Sequence, residues 1–102
     1  MFPSNLAILG RDVVVEKVME FPKQMGETDF NTNTIKVKEG QQLLMEADTL
    51  LHECLHLIDE YMQLNMSERQ VYCTAVGIIA LLRDNQTLLH YLEEAIKNPR
   101  KV

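Results

Sequence analysis

The 102 residues predict one α+β domain, with hairpin strands first and three helices after. Three observations carry that expectation. Short β-prone runs crowd the first 38 residues, and Thr34-Ile35-Lys36-Val37-Lys38 alternates apolar with polar. A helical apolar pattern then runs from about Gln42 to Met62. Two more helical patterns follow, with no internal repeat, low-complexity tract or linker to divide residues 1–102 into separate domains.

Taken in order, Leu6-Ala7-Ile8-Leu9 and Val13 to Val18 are strand-like, and Gly10-Arg11-Asp12 between them has turn chemistry, so a hairpin is expected. Met19 to Glu27 contains Pro22 and Gly26 and reads as a loop or short helical turn. Thr28-Asp29-Phe30 leads through Asn31-Thr32-Asn33 into Thr34 to Lys38. Asparagines tolerate the positive φ of a tight connection, so this is a second hairpin. Ile35 and Val37 face inward, and the lysines mark Thr34–Lys38 as an edge strand, because lysine discourages edge-to-edge pairing.

Along the first helix, Leu43, Ala47, Leu50, Leu51, Cys54, Leu55, Ile58, Tyr61 and Met62 form an apolar arc. Asp48, His52, Glu53, His56, Asp59 and Glu60 share the opposite arc. Gln63 to Met66 breaks the pattern, and Ser67 is a good N-cap for a second helix. That helix is apolar almost all round from Val71 to Leu82, which places it in the core, and Ala75, Gly77 and Ala80 permit close packing on the first helix. Arg83-Asp84-Asn85 closes it. Leu88, Leu89, Leu92, Ala95 and Ile96 then mark an amphipathic helix from about Thr87 to Lys97, ended by Asn98-Pro99.

Composition narrows the function classes. A hydrophobic fraction of 46% and a charged fraction of 25% are ordinary for a globular protein. The net charge of -5 argues against direct nucleic-acid binding, since the basic residues cluster only at Lys97, Arg100 and Lys101. Cys54 and Cys73 have apolar neighbours and read as reduced, buried thiols. The N-terminus lacks a charged segment, Leu6 to Leu9 is short for a signal-peptide core, and Val71 to Leu82 is too short to span a bilayer. The expectation is a cytoplasmic protein of a bacterium or a phage-infected cell, with no membrane partner.

The chemistry concentrates in His52-Glu53-Cys54-Leu55-His56. On a helix the two histidines lie one turn apart on one face, where both imidazoles can converge on one ion. Glu53 is offset around the helix and can reach a water at that ion. Zinc suits neutral imidazole ligands, and three protein ligands leave a fourth position for water or substrate. Such an ion lowers the pKa of water to roughly 7, and Glu53 accepts the proton and passes it to the leaving amine. A plain polar helix face is the competing interpretation, and the unbroken helix through the motif weighs against it.

The third ligand must come from elsewhere. A metzincin requires Gly and His where this chain has Asp59 and Met62. Glu60 lies about 12 Å along the helix from His52, too far for one ion. Glu68, in the first turn of the next helix beyond a short connection, is best placed, and a carboxylate is favoured at a helix N-terminus.

With HExxH at His52 to His56, Glu68 downstream and apolar Val71, Ala75, Ile78 and Ile79 beyond it, the chain resembles minimal HExxH metallopeptidases, a gluzincin-like arrangement. It is similar in particular to the ImmA/IrrE group and to small phage and prophage metallopeptidase-like proteins. The resemblance covers residues from about 26 onward and includes the expected Gly26 to Val37 hairpin; only HExxH is specific. It implies a minimal zincin-like domain with one Zn2+ per chain on His52, His56 and Glu68, and Glu53 as general acid/base. It also implies a peptide substrate paired along Thr34–Lys38. The target implied by that group is a repressor of a mobile element or stress response.

Cys54, Leu55 and Leu57 are larger than the small residues many members carry there. SprT-like proteins use a third His, but the only downstream His is His90, far along the third helix, where a surface or substrate-side place is expected. Tyr72, His90 and Tyr91 carry groups suited to an oxyanion donor, and the sequence assigns the role to none of them. The leading expectation is a zinc metallopeptidase acting on a specific protein. The alternatives are a catalytically silent, zinc-stabilised interaction domain and hydrolysis of a small non-peptide amide. Oligomeric state is not legible.

Overall fold

A computed structural model describes residues 1–19 and 24–98. It is α+β: a four-stranded sheet formed by β1 (Asn5–Ile8), β2 (Arg11–Val18), β3 (Gly26–Asp29) and β4 (Thr34–Lys38), then α1 (Leu43–Met62), α2 (Glu68–Asp84) and α3 (Gln86–Lys97). The segment expected as a loop from Met19 to Glu27 divides: residues 20–23 lie outside the described residues, and Gly26 and Glu27 belong to β3. Pro99 and the basic residues Arg100 and Lys101 also lie outside.

The first hairpin is tighter than the sequence suggests. Ile8 pairs with Arg11, so the turn is Leu9-Gly10, both at positive φ (49° and 81°), and Arg11 and Asp12 are strand residues. Positive φ at two central residues matches strand twist in a two-residue hairpin, a conformation Gly10 adopts freely and exposed Leu9 adopts against its preference.

Strand order is β1-β2-β4-β3, with β2 and β4 parallel and the other pairs antiparallel. This corrects the edge assignment of Thr34–Lys38. That strand pairs on both sides, with Val15 opposite Ile35 across one ladder and Thr28 opposite Ile35 across the other. Burial of Ile35 and Val37 demands an interior strand, and Lys36 and Lys38 project where they remain partly exposed. The sheet's edges are β1 and β3, and β3 is the one that lies against the Glu53 side chain of α1.

One sheet face is covered by α1. Val13, Val15, Ile35, Val37 and Ile8 form a core with Leu57, while Leu50, Cys54, Ile58 and Tyr61 pack at its margin. Each fully buried aliphatic side chain here contributes roughly 1.5–3 kcal/mol relative to exposure. The buried face of α1 is rotated from the expected arc: Leu57 is fully buried, whereas Leu43 and Met62 are largely exposed near the helix ends.

After α1, Gln63 takes the left-handed conformation that ends the helix, and Asp59 Oδ1 accepts from the Met66 amide at 3.0 Å. Ser67 then caps α2: its hydroxyl accepts from the Gln70 amide at 3.1 Å, while Gln70 Oε1 accepts from the Ser67 amide at 2.8 Å. These local bonds fix where Glu68 begins α2.

The expectation that α2 runs through the core is corrected. Only Val71 and Ala75 are buried, and Tyr72, Val76, Ile78 and Leu81 are exposed. The sheet face is already occupied by α1, so α2 packs on α1 and on α3, and much of its far side stays exposed. Cys73 is accordingly exposed, contrary to the buried-thiol expectation, and Cys54 is half-buried. Among the described residues no helix is long and apolar enough to cross a membrane.

Candidate metal centre

His52 and His56 project from one side of α1 with ring centroids 4.7 Å apart. Their Nε2 atoms are separated by 3.1 Å. Glu68, brought back by the Gln63–Ser67 connection, sets Oε1 2.7 Å from His52 Nε2 and Oε2 3.1 Å from His56 Nε2. One ligand atom from each residue lies within 4.8 Å of the others. All three sequence-predicted ligands are therefore brought together, whereas His90 is on α3, exposed and 3.9 Å from Glu93.

The donor set suits a cation. If both Nε2 atoms carry protons, each can donate to Glu68, but the two N–H groups then face each other across 3.1 Å. If one is bare, it gains a contact with the other histidine and loses its donation to the carboxylate. With Glu68 as a carboxylate, no placement of protons on the two rings gives each of the three contacts its own donor. A central cation removes that need, and about 3.3 Å is the edge of a tetrahedron with zinc bonds of about 2.0–2.1 Å.

Glu53 faces a different partner. It is 6% exposed, inserted between α1 and β3, and the Thr28 hydroxyl donates to its Oε1 at 2.6 Å. Burial pushes the Glu53 carboxyl above its ordinary range; Thr28 and the two histidines pull the other way, and Glu68 adds to the rise. Burial likewise pushes the neighbouring Cys54 thiol up to about 11, reinforced by Glu53, and the side chain packs at the margin of the core.

Three contributors escaped the sequence reading. Thr28 sits on β3, where nothing local marks it as a partner of a residue 25 positions away. Gly26 permits the approach of β3 to α1: an added Cβ would stand 2.7 Å from Thr49 Cγ2 and 3.0 Å from Glu53 Oε2. Asp48, one turn before His52, has a buried Oδ1 without a hydrogen-bond partner. Its four-residue spacing from His52 was the available signal.

A cavity of about 640 Å³ opens over the triad. Met25, Met45 and Val76 form apolar walls, and Glu27, Asp48, Glu53 and Glu68 give it negative charge, with no Lys or Arg lining it among the described residues. Tyr72 also lines it, its ring centroid 6.4 Å from that of His52. Of the three residues considered as oxyanion donors, only Tyr72 is at the cavity. Comparisons with protein-family models, curated proteins and solved structures find no significant match to this chain.

Proposed function

We propose that the chain is a zinc-dependent metallopeptidase of the minimal HExxH type, acting on a specific protein target. The observation that carries this reading is the convergence of Glu68 from α2 on both imidazoles of α1, in contacts that a Glu68 carboxylate and two ring protons do not satisfy together. His52, His56 and Glu68 would hold one Zn2+. When bound, the ion would supply Lewis acidity toward water and a peptide carbonyl.

The remaining roles fall to the chain's own groups. Glu53 takes a proton from water and returns it to the leaving nitrogen; its burial raises its basicity, and the Thr28 hydroxyl holds its orientation. An extended peptide would pair with the free edge of β3, since Gln24, Met25, Gly26 and Glu27 border the cavity. The Tyr72 hydroxyl is the available donor for charge developing on the carbonyl oxygen. A silent, zinc-stabilised domain would call for a closed four-ligand shell, and the described residues bring together three.

The test is metal content of protein purified without added metal. One zinc per chain is expected in the native protein and in Glu53→Gln, and none in His56→Ala or Glu68→Ala. Glu53→Gln then serves as an inactive trap for the protein substrate. Absence of zinc from every form after reconstitution overturns the reading.

A further inference from the structure

The far side of α2 has the pattern of an interface with itself. Arg69, Cys73, Gly77, Ala80 and Asp84 fall on one stripe of the helix, at spacings of four, four, three and four, and all five are exposed. No charged residue occurs between Val71 and Leu82. Gly77 is the informative member: a Cβ built there meets nothing within 4 Å, so packing inside this chain does not require glycine. Glycine in a helix interior costs about 1 kcal/mol relative to alanine, and its lack of a side chain leaves room for close approach of another helix.

The stripe is also symmetric about a point between Val76 and Gly77. Arg69 and Asp84 are equidistant from that point, and so are Cys73 and Ala80. A second copy of α2 laid antiparallel across it sets Cys73 of each copy against Ala80 of the other, and Gly77 at the centre leaves room for Val76 of the other copy. At the two ends it sets Arg69 of each copy beside Asp84 of the other, and within one chain neither residue is in an ion pair among the described residues.

Exposed surface points the same way. The chain exposes 7831 Å², against about 5,900 Å² for a compact monomer of 11.8 kDa. The radius of gyration of 14.5 Å also exceeds the roughly 13 Å of a compact domain of this length. α3 accounts for part of both: among the described elements it packs only on α2 and has no buried residue, leaving Leu92 and Ile96 exposed on an apolar stripe. A twelve-residue helix with one neighbour is marginal by itself.

We propose that the protein is a two-fold symmetric dimer in which the Arg69–Asp84 stripe of α2 packs antiparallel on its copy, with Leu81 and α3 extending the apolar contact. The interface is isologous, so each copy supplies both halves of the charge pairing. Val76 borders both this stripe and the cavity, which places the second copy at the rim of the metal centre.

The test is light scattering after size exclusion across a concentration series, on the full chain. The native protein is expected to elute as a dimer. Arg69→Asp and Asp84→Arg each place like charges together at both ends and should raise the dissociation constant about tenfold or more, while the double variant restores it. Gly77→Leu should dissociate the dimer while keeping or raising helicity by circular dichroism, which separates loss of pairing from loss of folding. A native protein that is monomeric throughout, or a dimer indifferent to both charge variants and to Gly77→Leu, overturns the proposal.

Discussion

The Thr28 hydroxyl lies 2.6 Å from Glu53 Oε1, joining the edge strand of the sheet to the buried acid of the motif helix. A strand residue thereby orients a helix residue 25 positions away. Replacing Thr28 with Val keeps its shape and removes the donor. Because a hydrogen bond to a charged group contributes roughly 1.5–3 kcal/mol, kcat toward a trapped substrate should fall at least about tenfold. Bound zinc should stay at one per chain; loss of zinc together with activity would show that Thr28 supports the metal site as a whole.

Glu53 makes metal-free stability depend on pH. Its carboxyl titrates above the ordinary glutamate value of 4.5 because burial disfavours the charged form. The stability this group contributes is full below 4.5 and is lost as pH rises through the higher folded value. Glu53→Gln keeps an acceptor for Thr28 without the charge. In the presence of a chelator, it should melt above the native protein at neutral pH, with the gap closing in acid. A gap that is constant with pH, followed by scanning fluorimetry, would contradict the buried-charge account.

Gly26 allows the close contact that puts β3 against Glu53. An alanine methyl 2.7 Å from Thr49 Cγ2 must displace a well-packed side chain or the strand. Gly26→Ala should destabilise by about 1–3 kcal/mol. At 4–8 °C per kcal/mol, roughly, for a domain of this size, that is readily seen in thermal melts. Gly10→Ala at an open turn position tests backbone conformation instead of space and is the natural comparison.

Glu68 should matter for metal and little for the metal-free fold. Its side chain is 71% exposed in both histidine contacts, where an ion pair contributes about 0–1 kcal/mol. Glu68→Ala is therefore expected to melt close to the native protein with chelator present. Without chelator, the native protein should gain stability from added zinc and the variant should not. A large loss in the metal-free melt would instead assign Glu68 a structural role.

Tyr72→Phe removes one hydroxyl at the cavity and leaves an exposed ring position otherwise unchanged. If that hydroxyl meets the developing oxyanion, kcat drops about 10²-fold while KM changes little. Equal kcat in the two proteins would remove Tyr72 from the chemistry.

The sequence by itself determined the α+β class, the three helices to within about a residue or two, and the pair His52 and His56, because these depend on local periodicity and on spacing along one helix. It also pointed to Glu68, since Ser67 caps a helix whose first turn must follow a short connection. Tertiary structure alone decided that Thr34–Lys38 is interior and that β3 is one of the two edges, because a parallel β2–β4 pair joins residues about twenty apart with no local signature. It likewise decided which polar residue of α1 is buried. His52, Glu53 and Asp48 occupy one polar arc in the sequence, yet Glu53 alone enters the gap between helix and sheet, where the missing side chain of Gly26 makes room and Thr28 supplies the hydrogen bond. Burial of that kind depends on the approach of two distant segments, a quantity no window of sequence contains.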